Sequence, residues 1–396
     1  MAKAAHGGNA DAYPTTQENL NTFSAKPSAN PAPLKAKAQL PEGLSPAEAR
    51  RMYEGMVLVR AFDERQQKLQ RSGRIGFCVT SLGEEACQIG TAHALEADDW
   101  VVPYYRQHGI LLYRGTEMED MANHLYGNAN DRSSGRQMPG HYTNKSVNFV
   151  SSSSVIGTHL IHAAGIAMAA KYKAKKSGKA PAVTVTYIGD GGTSANDFHS
   201  CMTFTGVFKP PLVFYIVNNQ YAISLPVSQQ CGAKNLSDKG IGYGIPAIQV
   251  DGNDVFAVFE AAREAYRKAR AGEGPMLIEL LTYRSGPHTS SDDPTRYRGD
   301  EASTWIAPDK DPIARARAVL EALGYWNADD ETKLWEAARE TVNKATINAA
   351  AAPEPAWESM FDDVYSELPL PLQRQRDELI SRESGFDRQV EGEFPI

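Results

Sequence analysis

Asp190, the two glycines after it and Asn219 are the residues of this 396-residue sequence whose types and spacing point most directly to chemistry. Asp190 lies in 187-YIGDGGTSAND-197, Asn219 in 218-NNQYAIS-224, and 26 residues separate Gly191 from Asn218. That separation suits one helix and the next strand, which brings the carboxylate and the amide to the ends of adjacent strands. A hard divalent cation such as Mg2+ prefers an octahedral set of oxygens, few from protein and the rest from phosphate and water. The Asp190 carboxylate, the Asn219 amide oxygen and the Tyr221 carbonyl form a half-shell that two diphosphate oxygens and a water would complete. Gly191 and Gly192 would let the diphosphate approach the backbone N–H groups at a helix start. Taken singly, each stretch also reads as a plain polar turn after a strand; their pairing at this spacing favours a site.

Alternating elements must position these groups. The apolar, β-rich runs 182-AVTVTYIG-189, 211-PLVFYIVNN-219 and 275-PMLIELLTYRSG-286 read as strands of a parallel sheet. Helical patterns fall ahead of the first strand, at 158–178, and between the strands, after Gly192 and at 255–271. Ahead of them, 45-SPAEARRMYEGMVLVRAFDERQQKLQRSG-73 is a helix whose start carries a Ser45/Glu48 capping box and Pro46. Helices are also expected over 83-GEEACQIGTAHAL-95 and 116-TEMEDMANHLYG-127, the second with a Thr116/Glu119 capping box, and at about 312–325 and 331–351. The pattern implies an α/β fold with a mostly parallel sheet covered by helices, in which ligands bind beyond the carboxyl ends of the strands. Residues 1–44 read as a disordered arm, 45–365 as one domain and 366–396 as a helical tail.

The bulk numbers narrow the function classes. A net charge of −7 leaves no basic surplus for nucleic acid. No apolar run reaches the ~18 residues a membrane span needs. Four cysteines without metal-ligand spacing, Cys78, Cys87, Cys201 and Cys231, read as packing residues in a reducing compartment, so a cytoplasmic location is expected. His93, His124, His162 and His199 fall within helices and read as packed or solvated.

The stretch GDGG…NNQYAIS resembles the thiamin diphosphate signature. The similarity extends from about residue 45 to 365 through TSLGEEACQIG, PYYRQHG, YGNANDRSSGRQMPGHY, GYGIPAIQVDGNDVFAV and YRSGPHTSSDDPTRYR. These blocks resemble the alpha subunit of two-component 2-oxoacid dehydrogenases. Within that family, GRQMPGHY and SSDDPTRYR are similar to the branched-chain (2-oxoisovalerate) members, with the alpha subunit of a pyruvate or acetoin dehydrogenase as the alternative. The resemblance implies thiamin diphosphate and Mg2+ as cofactors. It assigns Tyr105, Arg106, Ser154, Ile156, Gly191, Gly192 and His288 to the cofactor, and Asp190, Asn219 and Tyr221 to the metal. His288 is the implied catalytic group, with a near-neutral pKa expected by residue type.

Two positions depart from the family pattern. Val217 stands where relatives carry a phosphate-binding arginine. His159 replaces a glutamine of a potassium site that the resemblance would build with Ser153, Thr158 and the Val155 carbonyl, which makes K+ doubtful. Thr289 falls where mammalian relatives carry a regulatory phosphoserine. The 282-TYRSGPHTSSDDPTRYR-298 stretch has the composition of a mobile loop that could order over bound cofactor. Only one such α/β domain is present, so the pyrimidine half of the site is expected from a beta subunit in an α2β2 heterotetramer, which would pass its acyl group to the lipoyl arm of a core acyltransferase. A dinucleotide-dependent oxidoreductase would need a G-x-G-x-x-G turn, which GDGGTSA does not supply.

Overall fold

The computed structural model describes residues 38–383 other than Asp300 and Asp363. The expected arm lies outside the described residues except for 38–44, and the expected tail except for 366–383. Residues 42–44 are docked: Leu44 is buried, and Arg263 donates to the Glu42 carbonyl at 2.6 Å.

Helix α1 (Pro46–Arg71) starts as the sequence predicts, with Ser45 and Glu48 capping each other and Pro46 at its first position. Helix α2 (Glu85–His93) and strand β1 (Trp100–Val102) follow. Next come α3 (His108–Tyr113) and α4 (Met118–Tyr126). The Thr116 capping box does not form: Glu117 is the N-cap, and the Thr116 hydroxyl instead accepts from the Asn144 side chain at 2.8 Å. Then α5 (Thr158–Ser177) leads to β2 (Thr184–Gly189), α6 (Asn196–Phe208) and β3 (Leu212–Asn218). A two-residue hairpin pair, β4 (Tyr221–Ala222) and β5 (Leu225–Pro226), precedes β6 (Ala247–Asp251), α7 (Val255–Arg270) and β7 (Met276–Leu281). Four helices close the described chain: α8 (Glu301–Trp305), α9 (Pro312–Ala322), α10 (Ala328–Ala351) and α11 (Leu370–Glu383).

The five main strands pair in parallel in the order β1-β2-β3-β7-β6, so the expected parallel sheet covered by helices is the fold. Strands β2 and β3 are in register with Gly189 opposite Val217, which brings the ends carrying Asp190 and Asn219 side by side. Alternation along these strands feeds two cores. Val185, Tyr187, Val213 and Tyr215 face α1, α2 and α7, where Tyr187 stacks on Tyr215 at 4.9 Å. Ile188, Phe214 and Ile216 face the small-residue helix α5 and α6. Among the described residues, no helix is long and apolar enough to cross a membrane.

Candidate active site

A cavity of about 800 Å³ opens at the carboxyl ends of β2 and β3. Tyr105, Arg106, Ser154, Ile156, Asp190, Gly191, Gly192, Asn219, Tyr221 and His288 all border it, so the fold gathers every residue singled out for the cofactor and the metal. They arrive from five places: the segment after β1, the loop before α5, the turn after β2, the chain after β3 and the chain after β7.

Asp190 is buried, and its Oδ2 accepts from Gln230 Nε2 at 2.8 Å. Burial raises its pKa, against the opposing pull of the Gln230 amide. The chain turns at Gly191–Ser194 in one 3-10 turn, and α6 begins only at Asn196, with Ala195 as an N-cap that lacks a capping side chain. The backbone N–H groups beside Asp190 thus belong to a tight turn rather than to the expected long helix. Close packing forces glycine here: a Cβ at Gly191 would stand 2.4 Å from Ala222 Cβ, and one at Gly192 would meet Ile188 at 2.5 Å.

Asn219 is held by Glu84, a residue sequence reasoning passed over. Asn219 Nδ2 donates to Glu84 Oε1 at 2.7 Å. An ionised carboxylate only accepts, so the amide nitrogen is committed there, while Oδ1 accepts from Tyr221 N at 3.4 Å and has a second lone pair. Glu84 reaches this position because Gly83 threads past the end of β7: its φ is +93°, and a Cβ would sit 2.2 Å from the Tyr283 carbonyl. Burial raises the Glu84 pKa, while Arg106 and Asn219 oppose that shift. The Tyr221 carbonyl accepts from Arg284 Nη1 at 3.1 Å.

The donor set fits a small hard cation: a buried carboxylate, an oriented amide oxygen and a carbonyl. Among the described residues no group of three His, Cys, Asp or Glu side chains could hold a metal. A metal at this site would therefore complete its shell from a ligand.

Two guanidiniums converge on His288. Arg106 is fully buried, with Nε 3.7 Å from Glu84 Oε1, Nη1 bonded to the Thr80 carbonyl and Nη2 donating to the His288 carbonyl at 3.0 Å. Arg106 Nη2 and Arg284 Nη1 each stand 3.4 Å from His288 Nδ1. Guanidinium groups only donate, so Nδ1 is the bare nitrogen and the ring proton sits on Nε2. Burial first, then Arg106 and Arg284, push the His288 pKa down to about 3. The near-neutral value expected from residue type does not hold, because two cations face one ring nitrogen. Tyr105 packs edge-on against the His288 ring at 5.9 Å.

The loop after β7 is organised by its own polar groups. Asp292 Oδ2 accepts from His288 N at 2.6 Å and from Tyr297 OH at 2.7 Å, and Tyr297 OH in turn accepts from Arg284 Nη2 at 2.7 Å. Thr289 borders the cavity. Of the residues considered for potassium, Ser153 Oγ donates to the Val155 carbonyl at 3.3 Å, and His159 Nε2 donates to the Tyr187 carbonyl at 2.6 Å. His159 lines the cavity but is buried, and burial lowers its pKa. An imidazole committed to a backbone carbonyl does not replace an amide oxygen as a cation ligand. Val217 is a fully buried β3 residue and contributes no charge.

Arg284, Gln230, His141 and Glu84 are the polar groups that the sequence reading did not assign. Glu84, His141 and Arg284 lie in quoted motifs, but nothing local marks their roles.

The chain is similar to known proteins. A family model described as the dehydrogenase E1 component matches residues 53–358. The chain is 43% identical over 335 residues to the mitochondrial 2-oxoisovalerate dehydrogenase subunit alpha of Caenorhabditis elegans, covering 83% of this chain and 75% of that one. It is 41% identical over 326 residues to the 2-oxoisovalerate dehydrogenase subunit alpha of Bacillus subtilis, covering 82% of this chain and 97% of that one. The human mitochondrial counterpart is 40% identical over 330 residues, covering 83% and 73%.

Proposed function

The chain belongs to the dehydrogenase E1 component family, and we propose that it is the alpha subunit of a thiamin diphosphate-dependent decarboxylase that acts on branched-chain 2-oxo acids and transfers the acyl group to a lipoyl carrier. The observation that carries this reading is the meeting of Asp190 and Asn219 at the ends of the paired strands β2 and β3, inside one cavity with Arg106 and His288. Mg2+ held by Asp190, Asn219 and the Tyr221 carbonyl would anchor the diphosphate.

When bound, the cofactor supplies the carbanion that attacks the 2-oxo carbon and the electron sink for the departing carbon dioxide. The protein's own residues do the rest. Arg106 has Glu84 as its counter-charge, whereas Arg284 donates to neutral groups, the Tyr221 and Ile223 carbonyls and the Tyr297 hydroxyl. That wall is therefore matched to an anion, and the guanidiniums would clamp phosphate oxygens. His288, neutral with its proton on Nε2, can donate a hydrogen bond to a developing oxyanion without first taking up a proton. Ile156, which stands against Gly192, supplies an apolar prop for the rings.

The cavity mouth supports a two-chain site. Ile156, Ile223 and Leu225 are 47%, 54% and 43% exposed around it, a greasy rim suited to burial under a second subunit. A beta subunit in an α2β2 heterotetramer would cover the rim and supply the pyrimidine half, with a lipoyl acyltransferase core as the next partner. The test is the rate of decarboxylation of 3-methyl-2-oxobutanoate, 4-methyl-2-oxopentanoate and pyruvate by the chain alone and with its beta subunit. The reading expects activity only with both chains and a graded preference for the branched acids, since a pocket gains about 1–3 kcal/mol per methylene. A higher kcat/KM for pyruvate would reassign the substrate.

A further inference from the structure

Gln230 is half-buried in the cavity wall, at the end of a 3-10 turn over Val227–Gln229. Its Nε2 stands 2.8 Å from Asp190 Oδ2 and 2.8 Å from the Leu225 carbonyl. An ionised carboxylate and a carbonyl only accept, so the group between them is the NH2, and both of its protons are spent. One proton holds Asp190 Oδ2. The other holds β5, which pairs with β4 through Leu225 opposite Ala222 and Pro226 opposite Tyr221. Val227 N closes the same hairpin again by donating to the Gln220 carbonyl at 2.9 Å. A single amide thus ties the Asp190 carboxylate to the hairpin that bears the Tyr221 carbonyl. The amide is also packed against the turn after β2, since a Cβ at Gly191 would stand 2.9 Å from Gln230 Oε1.

We infer that Gln230 is a positioning residue that sets the metal preference of the site: by holding Asp190 Oδ2 it presents the carboxylate to a cation through Oδ1, a grip that suits Mg2+ better than Ca2+. Mg2+ demands a near-ideal octahedron of oxygens at about 2.0–2.1 Å, which the narrow bite of both oxygens of one carboxylate distorts. Ca2+ takes about 6–8 oxygens at about 2.3–2.6 Å and accepts a carboxylate through one oxygen or both. A proton donor on Oδ2 competes with a cation for that oxygen. Without the donor, Oδ2 becomes an extra ligand that Ca2+ can use and Mg2+ cannot, and the carboxylate loses its fixed orientation. The inference rests on the reading of Asp190, Asn219 and the Tyr221 carbonyl as metal ligands, and it gives Gln230 the choice between cations.

The test uses the two-subunit enzyme stripped of cofactor and metal, with calorimetric Kd values for inorganic pyrophosphate in saturating Mg2+ and in saturating Ca2+. The readout is the ratio of the two values in each variant relative to the wild type, so the cations' own affinities for pyrophosphate cancel. Gln230→Met keeps the length of the side chain and removes both N–H donors; Leu225→Gly loosens the hairpin and keeps the amide. Gln230→Met should weaken binding in Mg2+ about tenfold, the lower end of what an outer-shell partner of a metal ligand supplies, and leave binding in Ca2+ nearly unchanged. Leu225→Gly should weaken both alike and keep the wild-type ratio. Equal weakening with both cations in Gln230→Met, no weakening with either, or the same change of ratio in Leu225→Gly would overturn the inference. Should circular dichroism show that Gln230→Met is unfolded, Gln230→Ala decides by the same ratio. A wild-type ratio that survives in the folded Gln230 variants overturns the inference alone. If the wild-type enzyme binds pyrophosphate equally well without either cation, the metal reading itself fails and the inference falls with it.

Discussion

Replacing Glu84 by glutamine removes one negative charge from the floor of the cavity while keeping its shape. In the native chain the Arg106 and Glu84 side chains are at most 1% exposed, with Nε and Oε1 3.7 Å apart. At that separation Coulomb's law with an effective dielectric of ~20 gives roughly 4 kcal/mol. Removing one partner of a buried pair costs about 3–5 kcal/mol, because it strands the other charge. The Glu84→Gln chain should therefore unfold at clearly lower urea than the wild type, by about that amount. The glutamine oxygen can still accept from Asn219, so the amide stays oriented and the loss is electrostatic. A bound anion should replace the missing charge. Magnesium pyrophosphate should therefore stabilise the variant more than the wild type, where saturation at 100 times Kd adds about 2.7 kcal/mol. The assay is equilibrium urea unfolding followed by fluorescence, with and without magnesium pyrophosphate. Equal urea midpoints for the two chains would mean that Glu84 is already neutral in the native state, and the ion-pair argument would be refuted.

Three further outcomes follow from the same geometry. Gly191→Ala should lower kcat/KM of the reconstituted enzyme by about 100-fold, because a Cβ 2.4 Å from Ala222 displaces the turn by a sizeable fraction of an ångström. Adding Ala222→Gly should restore most of it, and no recovery in the double variant would argue against the packing explanation. His288 should show no protonation by nitrogen-15 NMR between about pH 5 and 8 in the cofactor-free chain, since its folded pKa is pushed down to about 3 from an ordinary value near 6.5. With the folded value depressed, the unfolded chain takes up the extra proton as pH falls below about 6.5. Stability should therefore drop over that range, and the drop should be shallower in His288→Gln. A normal titration of His288 near pH 6.5 would contradict the two-guanidinium geometry.

The fold was legible where the sequence concentrates one signal. Strands β2, β3 and β7 are near-continuous apolar runs because helices cover both faces of the sheet, and α1 announces itself with a capping box that the structure reproduces. The two edge strands were not read. Strand β1 is three residues long, and β6, Ala247–Asp251, is half-buried along its length, so neither carries a run or a clean alternation. The meeting of Asp190 and Asn219 at one cavity was readable because strand-end placement follows from spacing along the chain. Glu84, Arg284 and Gln230 were not, since their roles come from contacts far apart in sequence. Glu84 meets Asn219 135 residues away, and in a linear reading it is one more acid near a helix start. His288 was found, but its ionisation was misjudged because residue type says nothing of the two arginines around it.

The central claim is that Asp190 and Asn219 hold a metal that anchors a diphosphate cofactor. The most direct measurement is calorimetric titration of the reconstituted enzyme with thiamin diphosphate, with and without Mg2+, for the wild type and Asp190→Ala. Loss of the buried carboxylate from the half-shell should abolish Mg2+-dependent binding while circular dichroism shows a folded chain. Undiminished binding by folded Asp190→Ala, or binding by the wild type that ignores Mg2+, would contradict it.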